Sequence, residues 1–190
     1  MLSYRQFLVK ERVSFIYSND VYDIYDPETG DQIGYAVENP PFWACYARML
    51  LPKNLLPTRV EFFEDESGGP IMTLYKKPGL FKDDVRLYDA LDNYFGSLKT
   101  KSLLQGGGFF VYDAGGSQVA EVRGDWKGRN YKILSDTGRK LAVVTQKWAG
   151  FAKEVFTTSD TYMISVNEHE DAQTVALALA TALAIDTAFE

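Results

Sequence analysis

Near its C-terminus the chain carries AQTVALALATALAIDTAF, residues Ala172 to Phe189, and everything before it has to accommodate that segment. Alanine and leucine head the scale of helix formers, so the segment reads as a helix. Wound as a helix, it spreads Val175, Leu177, Leu179, Leu183, Ile185 and Phe189 around its whole circumference. A helix without a polar face must be enclosed, either in protein or in lipid. A bilayer span needs about 20 strongly apolar residues. The uninterrupted run here is shorter and rich in alanine, carries Thr174 and Thr181, and meets Asp186 before its end. An aspartate inside a span is costly, and no basic flank follows. Enclosure in protein is therefore the first reading, without a stable membrane span, and insertion into a bilayer is the alternative. Glu168, Glu170 and Asp171 place negative charge at the positive end of the helix dipole, with Asp171 as N-cap.

The rest of the chain must supply the enclosure, and it reads as strands. Val21 to Asp26 alternates apolar and polar residues, Pro27-Glu28-Thr29-Gly30 forms a turn, and Gln32 to Glu38 resumes the alternation. The same hairpin recurs at Phe109–Asp113 with Gln118–Arg123, and at Asn130–Ser135 with Lys140–Val144. Further strands are expected at Gln6–Val9, Val13–Tyr17, Thr58–Phe63, Ile71–Lys76, Val85–Leu87, Phe151–Phe156 and Tyr162–Val166. Many short strands at this spacing point to a sandwich or barrel, and a closed barrel wide enough to hold a helix leaves no free sheet edge. One segment breaks the pattern. Pro40 to Leu51 reads as a short helix, stopped by Pro52, with Phe42, Trp43, Tyr46 and Met49 facing the body and Cys45 as a small buried residue. At 190 residues, a single domain over 1–190 is expected.

Composition narrows the function. A net charge of −6 argues against nucleic-acid binding, which depends on Lys and Arg. The single cysteine excludes an intramolecular disulfide and suits a reducing compartment. No signal peptide is read in Met1–Lys10, so a cytoplasmic location is expected.

Several stretches fit a known family. Lys147 to Thr157, then Asp160-Thr161-Tyr162, then the apolar helix ending Ala184-Ile185-Asp186-Thr187-Ala188-Phe189-Glu190, resembles the C-terminal end of phospholipid scramblases and of the LURP-one-related proteins. Val111-Tyr112-Asp113 to Val122, Asp136 to Leu141 and Tyr22 to Asp26 fit the same pattern. Both groups are similar to tubby C-terminal domains. The resemblance implies a closed antiparallel barrel of about twelve strands around a central hydrophobic C-terminal helix. Animal scramblases carry an acidic calcium loop before that helix. The matching stretch here, Thr158 to His169, has Met163 where a calcium loop needs glycine, and it reads as a strand. The family's cysteine-rich acylation cluster and proline-rich leader are missing as well.

No set of residues suggests catalysis, a metal or a cofactor. His169 is the only histidine and sits in an acidic linker, where it reads as solvated. Gly106-Gly107-Gly108 precedes a strand, whereas a phosphate loop would precede a helix. Glu64-Asp65-Glu66 and Asp83-Asp84 read as loop charges. The cluster that stands out is Lys76, Lys77, Lys82 and Arg86 around Pro78-Gly79-Leu80-Phe81, two strand ends joined by a turn with an apolar tip. Such a tip could meet anionic headgroups. The expected function is a non-enzymatic scramblase-like or LURP-one-like barrel, peripheral at the membrane, whose partner is an anionic phospholipid, another ligand or a protein. The alternative is a lipid-translocating scramblase with its last helix inserted.

Overall fold

The computed structural model describes residues 1–12, 20–47, 49–51, 55–78, 84–101, 108–125, 130–145 and 161–189, with the backbone alone described at 84, 125 and 186–189. The alternating segments form β1 Gln6–Arg12, β2 Val21–Tyr25, β3 Gln32–Glu38, β4 Thr58–Phe63, β5 Met72–Lys76, β6 Asp84–Asp89 and β7 Tyr94–Thr100. They continue as β8 Phe109–Asp113, β9 Gln118–Asp125, β10 Asn130–Ser135, β11 Lys140–Thr145 and β12 Thr161–Val166. Helix α1 spans Phe42–Ala47 and helix α2 spans Ala172–Phe189. Each described strand pairs antiparallel with its neighbour in sequence, and β1 closes the ring on β12, with Phe7 opposite Ile164 and Val9 opposite Tyr162. The closed twelve-strand barrel is the architecture expected from the sequence.

The two-residue period of the strands decides what lies inside. Phe7, Ile24, Val60, Leu74, Leu87, Leu98, Val122 and Ile164 form one core with α2. In that helix Val175, Leu179, Leu183 and Ile185 are buried, and Leu177 is half-buried against the same core. The side chain of Phe189 lies outside the described residues. Eight strands make a barrel that side chains alone can fill; a larger ring leaves space for a helix about 10 Å across. Buried alanines at 176, 178, 180, 182 and 184 keep α2 slim enough for that space. Asp171 caps the helix: its Oδ1 accepts the Thr174 N–H at 2.8 Å, and that bond holds the Asp171 carboxyl below the usual range.

β7 is not evident in the sequence, because Gly96 and Ser97 interrupt its apolar run. The glycine has a packing role. A Cβ there would lie 2.7 Å from the Tyr112 carbonyl oxygen and 3.7 Å from Leu177 Cδ2. Two other expected strands, 13–17 and 151–156, lie outside the described residues.

The face assigned to α1 requires correction. Phe42, Trp43, Tyr46 and Met49 point away from the body, and Ala44 is the residue that packs inward. Cys45 is half-buried. The reason is volume: α2 already fills the barrel, so six residues at its mouth find no second apolar cavity to enter.

The antiparallel order gives the barrel two unlike rims. Short turns at 26–31, 64–71, 90–93, 114–117 and 136–139 close one of them. There Asp26, Asp65, Asp89 and Asp113 each accept a backbone N–H from the turn that follows, at 2.8–2.9 Å. The N-terminal ammonium of Met1 pairs with Glu64 at this rim. The longer connections 13–20, 39–57, 77–83, 101–108 and 146–160, with the shorter 126–129, all join strands at the opposite rim.

Candidate functional site

The basic cluster lies where β5 and β6 approach the loop rim, and pairing of these two strands decides which of its members share a surface. Tyr75 stands opposite Arg86, and Lys76 stands opposite Val85. Strand alternation then separates the two lysines. Met72, Leu74 and Lys76 face inward; Tyr75 and Lys77 face outward. Lys76 is 0% exposed and is not on the outer face. It stands opposite Thr58 in the register of β4 and β5. Thr58 Oγ1 donates to the buried Glu38 carboxylate at 2.6 Å. Both Lys76 and Glu38 have partners within the fold, as a charge removed from water requires. Lys82 and Phe81 lie outside the described residues.

The outer face gains a residue that the sequence reading did not include. Arg59 on β4 stands opposite Tyr75, so Arg59, Tyr75 and Arg86 form one row across three strands. Arg59 and Tyr75 are exposed, Arg86 is half-buried, and the exposed Lys77 lies at the rim end of the row. These residues, with Thr73 and Tyr88, line an open depression of about 450 Å³.

The charges in this depression are graded. Arg59 Nη2 lies 3.0 Å from Glu61 Oε1, and Asn39 Nδ2 donates to Glu61 Oε2 at 2.6 Å, so Arg59 is held in place. Arg86 has a partner of its own. At the far end are Asp89 and Asp92. The Asn93 side chain and the backbone N–H groups of Asn93 and Leu91 bond to Asp89, holding its carboxyl below the usual range. An anion is therefore attracted to the end near Lys77 and Arg86 and repelled from the turn end. A guanidinium presents a planar fork of donors that matches a phosphate, and tyrosine rings beside it keep an apolar floor under the bound group. Once β4 is placed beside β5, the alternation of Thr58–Phe63 is the signal that puts Arg59 outside.

The remaining expectations have plain placements. His169 is exposed, its backbone N–H bonded to Asn167 Oδ1 at 3.1 Å. Glu64, Asp65 and Glu66 are exposed in the turn rim. Among the described residues, no group of three or more His, Cys, Asp or Glu is placed to hold a metal ion. Also among them, no helix is long and apolar enough to cross a membrane. Asp160, from the stretch compared with a calcium loop, lies outside the described residues; Thr161–Val166 is β12.

Comparison with known proteins places this architecture. No curated protein matches the sequence. Among solved structures, the X-ray structure of an Arabidopsis thaliana protein is similar in fold, with a TM-score of 0.57 at 13% identity, covering 96% of this chain and 92% of that one. The family described as LURP-one-related matches residues 5–186, nearly the whole chain and every strand of the barrel. The chain belongs to the LURP-one-related family.

Proposed function

We propose that this chain is a non-enzymatic binding barrel that takes an anionic lipid headgroup on the outer face of β4–β6. The observation that carries the reading is the Arg59–Tyr75–Arg86 row with Lys77 at its open end. Each basic residue near an anionic surface contributes about 1 kcal/mol, so two or three give weak, reversible binding. The effect fades within a Debye length of about 8 Å at physiological salt. The chain's net charge of −6 opposes binding at long range, so only a local concentration of cations can succeed. The enclosure of α2 favours a peripheral protein over a lipid-translocating one, because inserting α2 in a bilayer would strip the apolar lining of the barrel of its cover.

Liposome flotation tests this. Vesicles containing phosphatidylserine should bring the protein up at low salt, while phosphatidylcholine vesicles should not. The Lys77→Gln/Arg86→Gln variant should bind markedly less, with its melting temperature little changed. Inorganic phosphate as competitor separates a headgroup site from a site for any phosphate. Equal flotation with neutral vesicles, or unchanged flotation of the variant, would eliminate the site.

A further inference from the structure

Among the described residues, the exposed large apolar side chains concentrate in the connection between β3 and β4. Phe42 is 77% exposed and Leu50 88%, and Trp43, Tyr46, Met49 and Leu51 are exposed with them. The Phe42 and Tyr46 rings pack edge to face, 5.1 Å apart, so the aromatic part of the surface is ordered by its own contacts. A stable protein seldom leaves six large apolar side chains together in water without a use for them. The connection that carries them leads directly into β4, and the Asn39 N–H donates to the Arg59 carbonyl at 2.6 Å, which ties its start to the cation row.

Charge identifies the occupant. Residues 39–60 contain Arg48, Lys53 and Arg59 and no Asp or Glu, in a chain whose net charge is −6. The same segment presents Trp43 and Tyr46, both exposed. Tryptophan and tyrosine settle at the level of the headgroups, and basic residues beside apolar ones are the composition of segments that lie in a membrane surface. The exposed turns of the opposite rim are acidic, with Glu28, Asp31, Asp65, Glu66, Asp92 and Glu168. Repulsion there turns that rim away from an anionic surface, and attraction turns the loop rim toward it. A protein partner would not require this pole-to-pole arrangement; a charged plane does.

We infer that the α1 segment is a bilayer anchor: Phe42, Trp43, Tyr46, Met49, Leu50 and Leu51 enter the headgroup–acyl boundary of an anionic membrane, with the barrel axis upright and the acidic rim outward. The inference rests on a membrane as the carrier of the headgroup, and adds insertion and orientation to it. Two contacts on one surface reinforce each other, because the second forms at a high effective concentration.

An environment-sensitive fluorophore reports insertion directly. It is attached at Leu50→Cys in a Cys45→Ala background, and in a second protein at Glu28→Cys on the acidic rim. With phosphatidylserine vesicles the probe at 50 should brighten and shift to the blue, and the probe at 28 should not change. Phe42→Ser/Leu50→Ser, at two exposed positions that the fold does not need, should weaken vesicle binding roughly tenfold or more. The Lys77→Gln/Arg86→Gln change should reduce recruitment but leave the shift at position 50 in the molecules that bind. If vesicles bind the protein through Lys77 and Arg86 while the probe at 50 stays silent, the anchor is refuted and the headgroup site stands. If the probe responds while Lys77→Gln/Arg86→Gln binds as before, the headgroup site fails and insertion stands. If the probe is silent and Phe42→Ser/Leu50→Ser turns a self-associated species into a monomer, the surface joins two copies of this chain and the inference is overturned.

Discussion

Two neighbouring positions of α2 give opposite tests of its enclosure. Leu179 is 0% exposed and Ala180 is 0% exposed, so one has its whole side chain in the core and the other has no room to gain one. Leu179→Ala removes three carbons at about 0.8 kcal/mol each, roughly 2.4 kcal/mol, before any cavity is counted. Leu-to-Ala changes in closed cores cost about 2–5 kcal/mol once the cavity is included. Ala180→Leu adds the same atoms where the barrel wall stands, and overpacking costs about 1–3 kcal/mol. In a chain of this size 1 kcal/mol corresponds to about 2–4 °C in melting temperature. Calorimetry should therefore show Leu179→Ala melting roughly 5–20 °C below the parent and Ala180→Leu several degrees below it. A helix lying on the surface or in lipid would tolerate Leu at 180, since surface substitutions stay within about 0.5 kcal/mol. If both variants melt with the parent, the helix is not enclosed and the reasoning about the barrel is wrong.

Other expectations are more local. Glu121 accepts from Arg123 at 2.6 and 2.8 Å and pairs with Lys101; the Arg123 bond first, with Lys101 after it, lowers its carboxyl from the ordinary 4.5 to about 2. A depressed carboxylate stabilises fully above the unfolded value and less as pH falls toward the folded one. The gap in melting temperature between the parent and Glu121→Gln should therefore narrow from pH 5 toward pH 2, and a constant gap would contradict the pairing. Gly96→Val should destabilise strongly or prevent folding, because its side chain would begin 2.7 Å from the Tyr112 carbonyl; a variant as stable as the parent would refute the close approach. Calcium should leave the melting temperature unchanged, since a ligand of the native state must raise it, and a saturable rise lost on Asp160→Ala would reverse the reading of residues 158–169.

Much of the architecture could be read from the chain because it depends on local rules. The alanine–leucine run of α2 has no polar face, and the hairpins at 21–38, 109–123 and 130–144 alternate with clear turns. Where the rules gave way, geometry beyond the segment had decided. Gly96 breaks the alternation of β7 because a neighbouring carbonyl occupies the space of a side chain. α1 looks like a helix with an inward aromatic face only if the interior has space, and α2 has taken it. Charge alone marks out the basic cluster, but the parity of Met72-Thr73-Leu74-Tyr75-Lys76-Lys77 already separates one lysine from the other. Arg59 was missed because its place beside Tyr75 depends on the register of a third strand, which no local pattern records.

Hydrogen–deuterium exchange, with and without phosphatidylserine vesicles, addresses the functional account as a whole. Vesicles should slow exchange in residues 41–51, at Arg59 and Lys77 and along the rim end of β5 and β6. The turns at 26–31, 64–71 and 114–117 should exchange as they do in buffer, and high salt should remove the difference. Protection at the acidic turns instead, or none at any rim under conditions where the vesicles recover the protein, would contradict it.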